Sequence, residues 1–243
     1  MLKRCIQAEW MKMRHSYLWP ILIALPVFST LLGCANYYMN RAALTNGWYS
    51  LWTQVSLFYG EFFLPVLIAI CCAYVCRLEH MNKNWNMVMT APVSAASIFI
   101  SKLTIVGTLI FLVQILFTVL YLVAGYVLSM PFAVPEETVG WVFRGWIAAI
   151  TISSVQLALS LRIKSFALPI GISVCAVFIG IGLYVGNIGM IFPYSLLTIG
   201  MGVLSQEKLT SMQTIQFFVM NLVFLMLVSA LSIRRLKRND VNA

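Results

Sequence analysis

Residues that could perform chemistry are few in this chain of 243 residues. It has seven Asp and Glu residues, two histidines and six cysteines. His15 and His80 are far apart in sequence, and no cysteine pair has metal-site spacing with a histidine nearby. No glycine is followed by lysine, so a phosphate-binding loop of the Walker type is excluded. The sequence therefore predicts no catalytic residues, no metal site and no cofactor bound by this chain.

The composition indicates a membrane protein. Hydrophobic residues make up 61% of the chain and charged residues only 9%, against about 25% charged residues in a soluble globular protein. With so few charges the chain cannot cover a water-facing surface, which excludes a soluble enzyme. The net charge of +9 is interpreted as basic loops beside a membrane, and no nucleic-acid partner is expected.

The apolar runs predict an all-α, polytopic membrane protein with six spans. Each run is close to the roughly 20 residues that a helix needs to cross a bilayer. Because lipid offers the backbone no hydrogen bonds, these runs should be helices. The predicted spans are 17–38, 55–76, 103–128, 141–161, 166–185 and 215–233. No linker divides them, so residues 1–243 are expected to form a single transmembrane domain.

The basic residues predict the orientation. With the N-terminus inside, 13 Lys and Arg residues lie in cytoplasmic segments, and three, Arg41, Arg144 and Lys208, lie outside. This asymmetry is a strong positive-inside signal, so both termini are expected in the cytoplasm of a cell whose cytoplasmic membrane holds the chain. The tryptophans agree with this orientation as residues of the membrane interface; those at the outer ends are Trp48, Trp52, Trp141 and Trp146.

Two apolar segments are not expected to span the membrane. In residues 1–16, apolar side chains every three or four positions share one arc of a helical wheel, which predicts an amphipathic helix in the membrane interface. The alternative is a frayed basic tail. Residues 188–204 contain Pro193 and three glycines, and as a seventh span they would move the basic C-terminal tail outside. They are expected to form a re-entrant or interfacial hairpin on the outer side, before the sixth span.

The loop 77–102 between the second and third spans is the most informative segment. Leu78, Met81, Trp85 and Met89 share one face of a short predicted helix, and Pro92 ends it. Such a helix on the cytoplasmic side could fit a groove on a soluble partner. It could equally anchor the loop in the interface, with Trp85 among the lipid headgroups. The residues alone leave both interpretations open.

This loop carries a resemblance to a known family. The pattern Glu79-x5-Trp85-x6-Pro92-x9-Lys102, directly after the second of six spans, resembles the ABC-2 family of exporter permeases. The layout is most similar to the small permease subunits of lantibiotic and bacitracin self-protection transporters. The basic N-terminal helix with Glu9 and the outer hairpin at 194–213 match that layout.

The resemblance implies the following partners and roles. The chain would be one permease of a transmembrane pathway, completed by a second permease that is expected to be a different chain. Two copies of a separate ATPase subunit would hold the ATP and Mg²⁺, and the substrate would be a cationic amphipathic peptide removed from the lipid membrane. The ATPase would dock on the coupling helix, through Leu78, Glu79, Met81, Trp85, Met89 and Pro92.

Glu61 is the only ionisable residue well inside a predicted span, about 9 Å from its outer end at 1.5 Å per residue. A lone carboxylate at that depth is costly unless it is paired or hydrated. One interpretation is an ion pair with Arg144. The other is contact with a cationic peptide, together with Glu136 and Glu137 on the outer loop. Pro65, one turn later, is expected to kink this helix.

Other functions remain open on sequence grounds. An intramembrane enzyme would need a catalytic set, which the residues do not supply. A passive immunity protein would bind a peptide or a partner without transport. An ABC-2 permease could also carry a drug, an ion or a glycan.

Overall fold

The chain folds as a bundle of helices in a computed structural model. The structure describes residues 1–14, 16–80, 93–131, 133–205 and 208–240, and no strand occurs within these ranges. Besides the α-helices, the chain has a π-helical segment, Leu57–Phe63, and a short 3-10 turn, Gly189–Ile191. The α-helices are α1 (Leu2–Arg14), α2 (Leu18–Met39), α3 (Gly47–Ser56), α4 (Leu64–His80), α5 (Ala95–Val127), α6 (Glu137–Ser160), α7 (Ala167–Val185), α8 (Pro193–Met201) and α9 (Ser211–Asp240).

Six helical stretches of the described residues are long and apolar enough to cross a membrane, which confirms the all-α architecture predicted from sequence. They are Leu18–Met39, Gly47–Arg77, Ala95–Val127, Glu137–Ser160, Ala167–Val185 and Ser211–Lys237. The second and third stretches begin several residues before the predicted starts. The predicted starts lie where polar residues interrupt the hydropathy pattern, and the fold buries those residues. The second is the most buried of the six and the sixth is the least buried.

Aromatic residues form the core around the second span. Trp52 stacks on Trp141 with ring centroids 5.0 Å apart and donates its indole N–H to the Met201 carbonyl at 2.8 Å. The indole N–H of Trp48 donates to the Pro131 carbonyl at 2.6 Å. All three tryptophans are at most 7% exposed. Protein rather than lipid therefore surrounds these rings, and the interior offers acceptors to the indole N–H groups of Trp48 and Trp52.

Residues 188–204 fold as a short buried helix. Pro193 occupies the first turn of α8, where its missing N–H costs no hydrogen bond. Gly202 ends the helix in the left-handed region, with φ +59. Nine residues reach only about 14 Å, roughly half of a hydrocarbon core, so the prediction that this segment is not a span is confirmed. α8 packs mainly against α6 and α7.

The second span departs from α-helical geometry just before Pro65. The Leu64 N–H donates to the Tyr59 carbonyl, five residues back. In a regular α-helix the Pro65 ring would collide with the Glu61 carbonyl, and the wider π turns relieve that clash. The kink expected at Pro65 therefore takes the form of a π-helical segment that carries Glu61.

Candidate functional site

Four charged side chains meet at one end of the bundle and form an ion cluster of Glu9, Lys12, Glu79 and Lys102. The Lys102 ammonium lies 2.5 Å from Glu79 Oε1 and 3.1 Å from Glu9 Oε1. Lys12 reaches the same two oxygens, at 3.0 Å and 2.9 Å. Two lysines and two glutamates compensate each other, so the cluster has no net formal charge.

The centre of the ion cluster is Lys102, whose side chain is fully buried. Its ammonium also donates to the Val75 carbonyl at 3.2 Å. Glu9 Oε2 and Glu79 Oε2 are buried without a hydrogen-bond partner among the described residues. Lys12 lies at the rim; burial opposes its charge, but Glu79 and Glu9 outweigh that effect and raise its pKa. Removing a partner from such a cluster is costly, because it leaves a charge buried and uncompensated.

The ion cluster holds the coupling loop at both ends. Glu79 belongs to the last turn of α4, before residues 81–92, and Lys102 lies in α5, after them. Glu9 and Lys12 bring α1 to the same place. The two charged residues of the sequence pattern are therefore direct partners, which explains why they occur together on either side of the loop.

The predicted docking residues are mostly outside the described part of the chain. Met81, Trp85, Met89 and Pro92 lie in the undescribed segment 81–92, and Leu78 belongs to the end of α4. Glu79, the remaining residue of the set, is 3% exposed and contacts both lysines of the ion cluster. A role for these residues in docking stays a prediction.

Glu61 is 4% exposed and lies in the π-helical segment. The Thr198 side chain of α8 lies beside its carboxyl, yet Glu61 Oε1 and Thr198 Oγ1 both lack a hydrogen-bond partner of good geometry among the described residues. Arg144 instead donates its Nε–H to the Gly200 carbonyl at 3.2 Å. No ion pair joins Glu61 to Arg144 within the described ranges, because α8 supplies the contacts of both side chains.

A second polar site lies where α6 begins. Glu137 accepts from Lys208 at 2.8 Å and from the Tyr49 hydroxyl at 2.8 Å. The Lys208 side chain is 77% exposed, and its hydrogen bond to Glu137 raises its pKa. An exposed pair of this kind contributes little to stability. A cavity of about 310 Å³ adjoins the pair and is lined by Glu136, Glu137, Trp141, Arg144, Lys208 and Leu209.

A neighbouring cavity of about 370 Å³ shares Lys208 and Leu209 with the first one. Its other lining residues include the polar side chains of Asn187, Thr198 and Gln213. The structure thus brings Glu136, Glu137 and Arg144 to one cavity, while Thr198, the neighbour of Glu61, lines the other. Among the described residues no group of three His, Cys, Asp or Glu side chains could hold a metal ion.

Sequence reasoning missed the partners of these sites. Lys102 was placed at the edge of a loop, although it stands within an apolar stretch that continues into the third span. A charge in such a stretch signals a buried partner, and Glu9 and Glu79 are the partners. Nothing in the local sequence indicated Thr198 beside Glu61.

Comparison with known families resolves the class of protein. The family model described as ABC-2 family transporter protein matches residues 5–181. The chain belongs to the ABC-2 transporter family. The match covers nearly three quarters of this permease, from α1 into α7, and includes the ion cluster. No curated protein and no solved structure matches the chain.

As an ABC-2 permease, the chain is a multi-pass membrane subunit of an ABC exporter. Its family implies association with an ABC ATPase subunit. The permease is thus the membrane transport subunit of such an exporter.

Proposed function

We propose that this permease expels a cationic antimicrobial peptide, of the lantibiotic or bacitracin kind, from the cytoplasmic membrane of a bacterium. The transporter would protect the cell that makes or meets the peptide. Both termini would lie in the cytoplasm, as the distribution of basic residues favours. Two ATPase subunits carrying ATP and Mg²⁺, and a second permease of different sequence, would complete the complex.

The observation that carries this proposal is the buried ion cluster at the ends of the coupling loop. Lys102 and Glu79 fix the helices on either side of residues 81–92. A loop whose two ends are fixed in this way would transmit a movement of a docked ATPase directly to the second and third spans. Glu9 and Lys12 would pass the same movement into α1. The docking surface would be the segment 78–92, with Trp85 as the residue that enters the ATPase.

The peptide substrate is supported by two carboxylates at the rim of the cavity beside α6. Glu136 and Glu137 line it together with Arg144 and Lys208, and Lys208 is the residue that a cationic side chain would displace from Glu137. Carboxylates attract the cationic side chains of a peptide. This rim would lie on the outer side of the membrane in the proposed orientation, where such peptides attack.

Two other functions compete with this proposal. The permease could carry another substrate, such as a drug, an ion or a glycan. It could also act without transport, as a passive immunity protein that binds the peptide. Protection that survives in cells whose ATPase subunit is catalytically dead would favour the passive protein.

The first test is purification of the tagged permease in mild detergent, from cells that express its whole gene cluster. We expect an ABC ATPase to co-purify and to hydrolyse ATP faster when a cationic lantibiotic is added. Trp85→Ala should abolish the association. Trp10→Ala is the matched control, because Trp10 is an exposed tryptophan of α1 outside the proposed docking segment.

The outcomes separate the hypotheses. Loss of the ATPase with Trp85→Ala but not with Trp10→Ala supports docking at the coupling helix. Equal loss with both variants contradicts that assignment. An ATPase that co-purifies but responds to a drug or a glycan, and not to the peptide, contradicts the peptide substrate.

A further inference from the structure

We infer that Glu61 and Thr198 form a proton-binding site, which exchanges its proton through the neighbouring cavity of about 370 Å³. The ligand is a single proton on the Glu61 carboxyl. This inference goes beyond the proposed function, which assigns no role to protons. It rests on the lack of a counter-ion, on two unpartnered polar atoms and on the position of the cavity.

The helices around Glu61 offer it no counter-ion. The π-helical segment packs against α2, α3, α4, α7 and α8. Of these, α2, α3, α7 and α8 contain no Asp, Glu, Lys or Arg residue. The charged residues of α4, Arg77 and Glu79, lie about 24 Å further along the helix axis, and Glu79 is held by the ion cluster.

Two further helices lie near this segment, α5 through Tyr59 and α6 through α8. The charged side chains of both helices have other partners. On α5, Lys102 belongs to the ion cluster. On α6, Arg144 donates to the Gly200 carbonyl and Glu137 binds Lys208. The remaining titratable side chains on the surrounding helices are tyrosines, cysteines and one histidine: Cys34, Tyr37, Tyr38, Tyr49, Tyr59, Cys71, Cys72, Tyr74, Cys76, His80, Tyr121, Tyr126, Cys175, Tyr184 and Tyr194.

Among the described residues an ionised Glu61 would thus be buried without a compensating charge, a state that costs far more free energy than a neutral carboxyl at the same place. Taking up one proton removes the charge and creates an O–H donor. The acceptor beside it is Thr198 Oγ1. Thr198 is 1% exposed, and its Oγ1 has no hydrogen-bond partner of good geometry among the described residues. The step breaks no bond in the protein: the carboxylate accepts H⁺ from water and returns it on ionisation.

The cavity supplies the route for the proton. Thr198 lines the cavity together with Asn187 and Gln213, whose polar side chains suit water. The Thr198 side chain is also the neighbour of the Glu61 carboxyl, which lies in the π-helical segment. Thr198 thus borders both the cavity and the carboxyl, and the proton would pass by way of this residue.

Carbodiimide modification tests the site without requiring transport. The apolar reagent dicyclohexylcarbodiimide reacts with protonated carboxyls in apolar surroundings. It would be applied, between about pH 5 and about pH 9, to membranes holding the full-length chain and its partner subunits. Mass spectrometry of the peptide that contains residue 61 gives the extent of modification, and Glu61→Gln sets the background.

We expect modification at low pH that falls about tenfold for each pH unit above its midpoint, as one titrating group requires. In Thr198→Val, modification of Glu61 should persist to a higher pH. The variant lacks the hydroxyl that can donate a hydrogen bond to the ionised carboxylate. A water-soluble carbodiimide should react as well, and Leu209→Trp, which narrows the cavity, should slow that reaction without slowing the apolar reagent.

Three results would overturn the inference. Absence of modification across this pH range, in a protein of wild-type thermal stability, would mean that Glu61 stays ionised. Modification that does not change with pH would mean that the proton never leaves. An unchanged rate with the water-soluble reagent in Leu209→Trp would exclude the cavity as the route.

Discussion

The Lys102 ammonium and the Glu79 carboxylate lie 2.5 Å apart across the coupling loop, with both side chains almost completely buried. The third span begins before Lys102, so this charge lies inside the helix that crosses the membrane. The ion pair links the helices at the two ends of the loop, and Glu9 of α1 also binds the Lys102 ammonium. Three separate parts of the chain are thereby fixed to one point.

Replacing Lys102 should destabilise the permease strongly. In Lys102→Met the carboxylates of Glu9 and Glu79 keep only the half-exposed Lys12 as a partner. We expect the free energy of unfolding to fall by about 3–5 kcal/mol, as for other buried pairs that lose one partner. Thermal unfolding of the purified chain in detergent measures it, with Lys3→Met on the exposed face of α1 as the control. Equal stability of the two variants would contradict the role of the ion cluster.

Glu61 and Arg144 should contribute to stability independently. The structure gives them no common ion pair, and Arg144 bonds to the Gly200 carbonyl instead. In a double-mutant cycle of Glu61→Gln and Arg144→Gln, the two effects on unfolding should add to within about 0.5 kcal/mol. A coupling energy clearly above that level would restore the ion pair that the sequence suggested.

Gly33→Ala should disrupt the contact between the first and second spans. A methyl group on Gly33 would lie 2.5 Å from the Val55 Cα and 2.8 Å from the Gln54 carbonyl oxygen. Because both neighbours are backbone atoms, the helices themselves must move apart. We expect a lower melting temperature and less folded protein by size-exclusion chromatography. Gly171→Ala is the matched control, since a methyl group there meets open space; a comparable loss in the control would refute this explanation.

Lys208 should compete with a cationic substrate for Glu137. The lysine occupies that carboxylate in the structure, so Lys208→Met should leave it free and strengthen stimulation of ATP hydrolysis by the peptide. Glu137→Gln should weaken the same stimulation. Dose–response curves with the reconstituted complex test both changes, and basal hydrolysis without peptide serves as the reference. If both variants shift the curve in the same direction, Glu137 is not a contact for the peptide.

Protection of cells gives a further test of Glu61. If this carboxyl contacts the peptide, Glu61→Gln should lower resistance to the peptide while the amount of protein in the membrane is unchanged. Growth at increasing peptide concentration and immunoblotting of membranes measure the two quantities. A parallel fall of resistance and protein level would indicate a role in folding alone.

Much of the fold could be predicted because lipid restricts what a chain can do. Apolar runs near 20 residues long had to become helices, and the six spans follow from them. The pattern placed the start of the third span at residue 103, whereas the helix that contains this span begins at Ala95. Lys102 is tolerated inside the helix only because Glu9 and Glu79 come from other segments to neutralise it.

Side-chain neighbours could not be predicted in the same way. Trp52 was expected at the outer end of its span, and nothing in the sequence indicated that the Met201 carbonyl would accept its indole N–H. Arg144 was a reasonable partner for Glu61 on the basis of depth, yet each has its neighbour on α8, Thr198 for Glu61 and the Gly200 carbonyl for Arg144. Depth along a span says nothing about the direction in which a side chain points.

The sequence by itself determined that this protein is a six-span helical membrane protein, because hydrophobicity and length act locally and need no knowledge of other segments. Its coupling-loop pattern also indicated the ABC-2 family, which the family comparison supports. Only the tertiary structure decided which charges meet: the ion cluster of α1, α4 and α5, the lack of an ion partner for Glu61 among the described residues, and the pairing of Glu137 with Lys208. The reason is physical, since pairing of buried charges depends on the packing of helices that are distant in sequence.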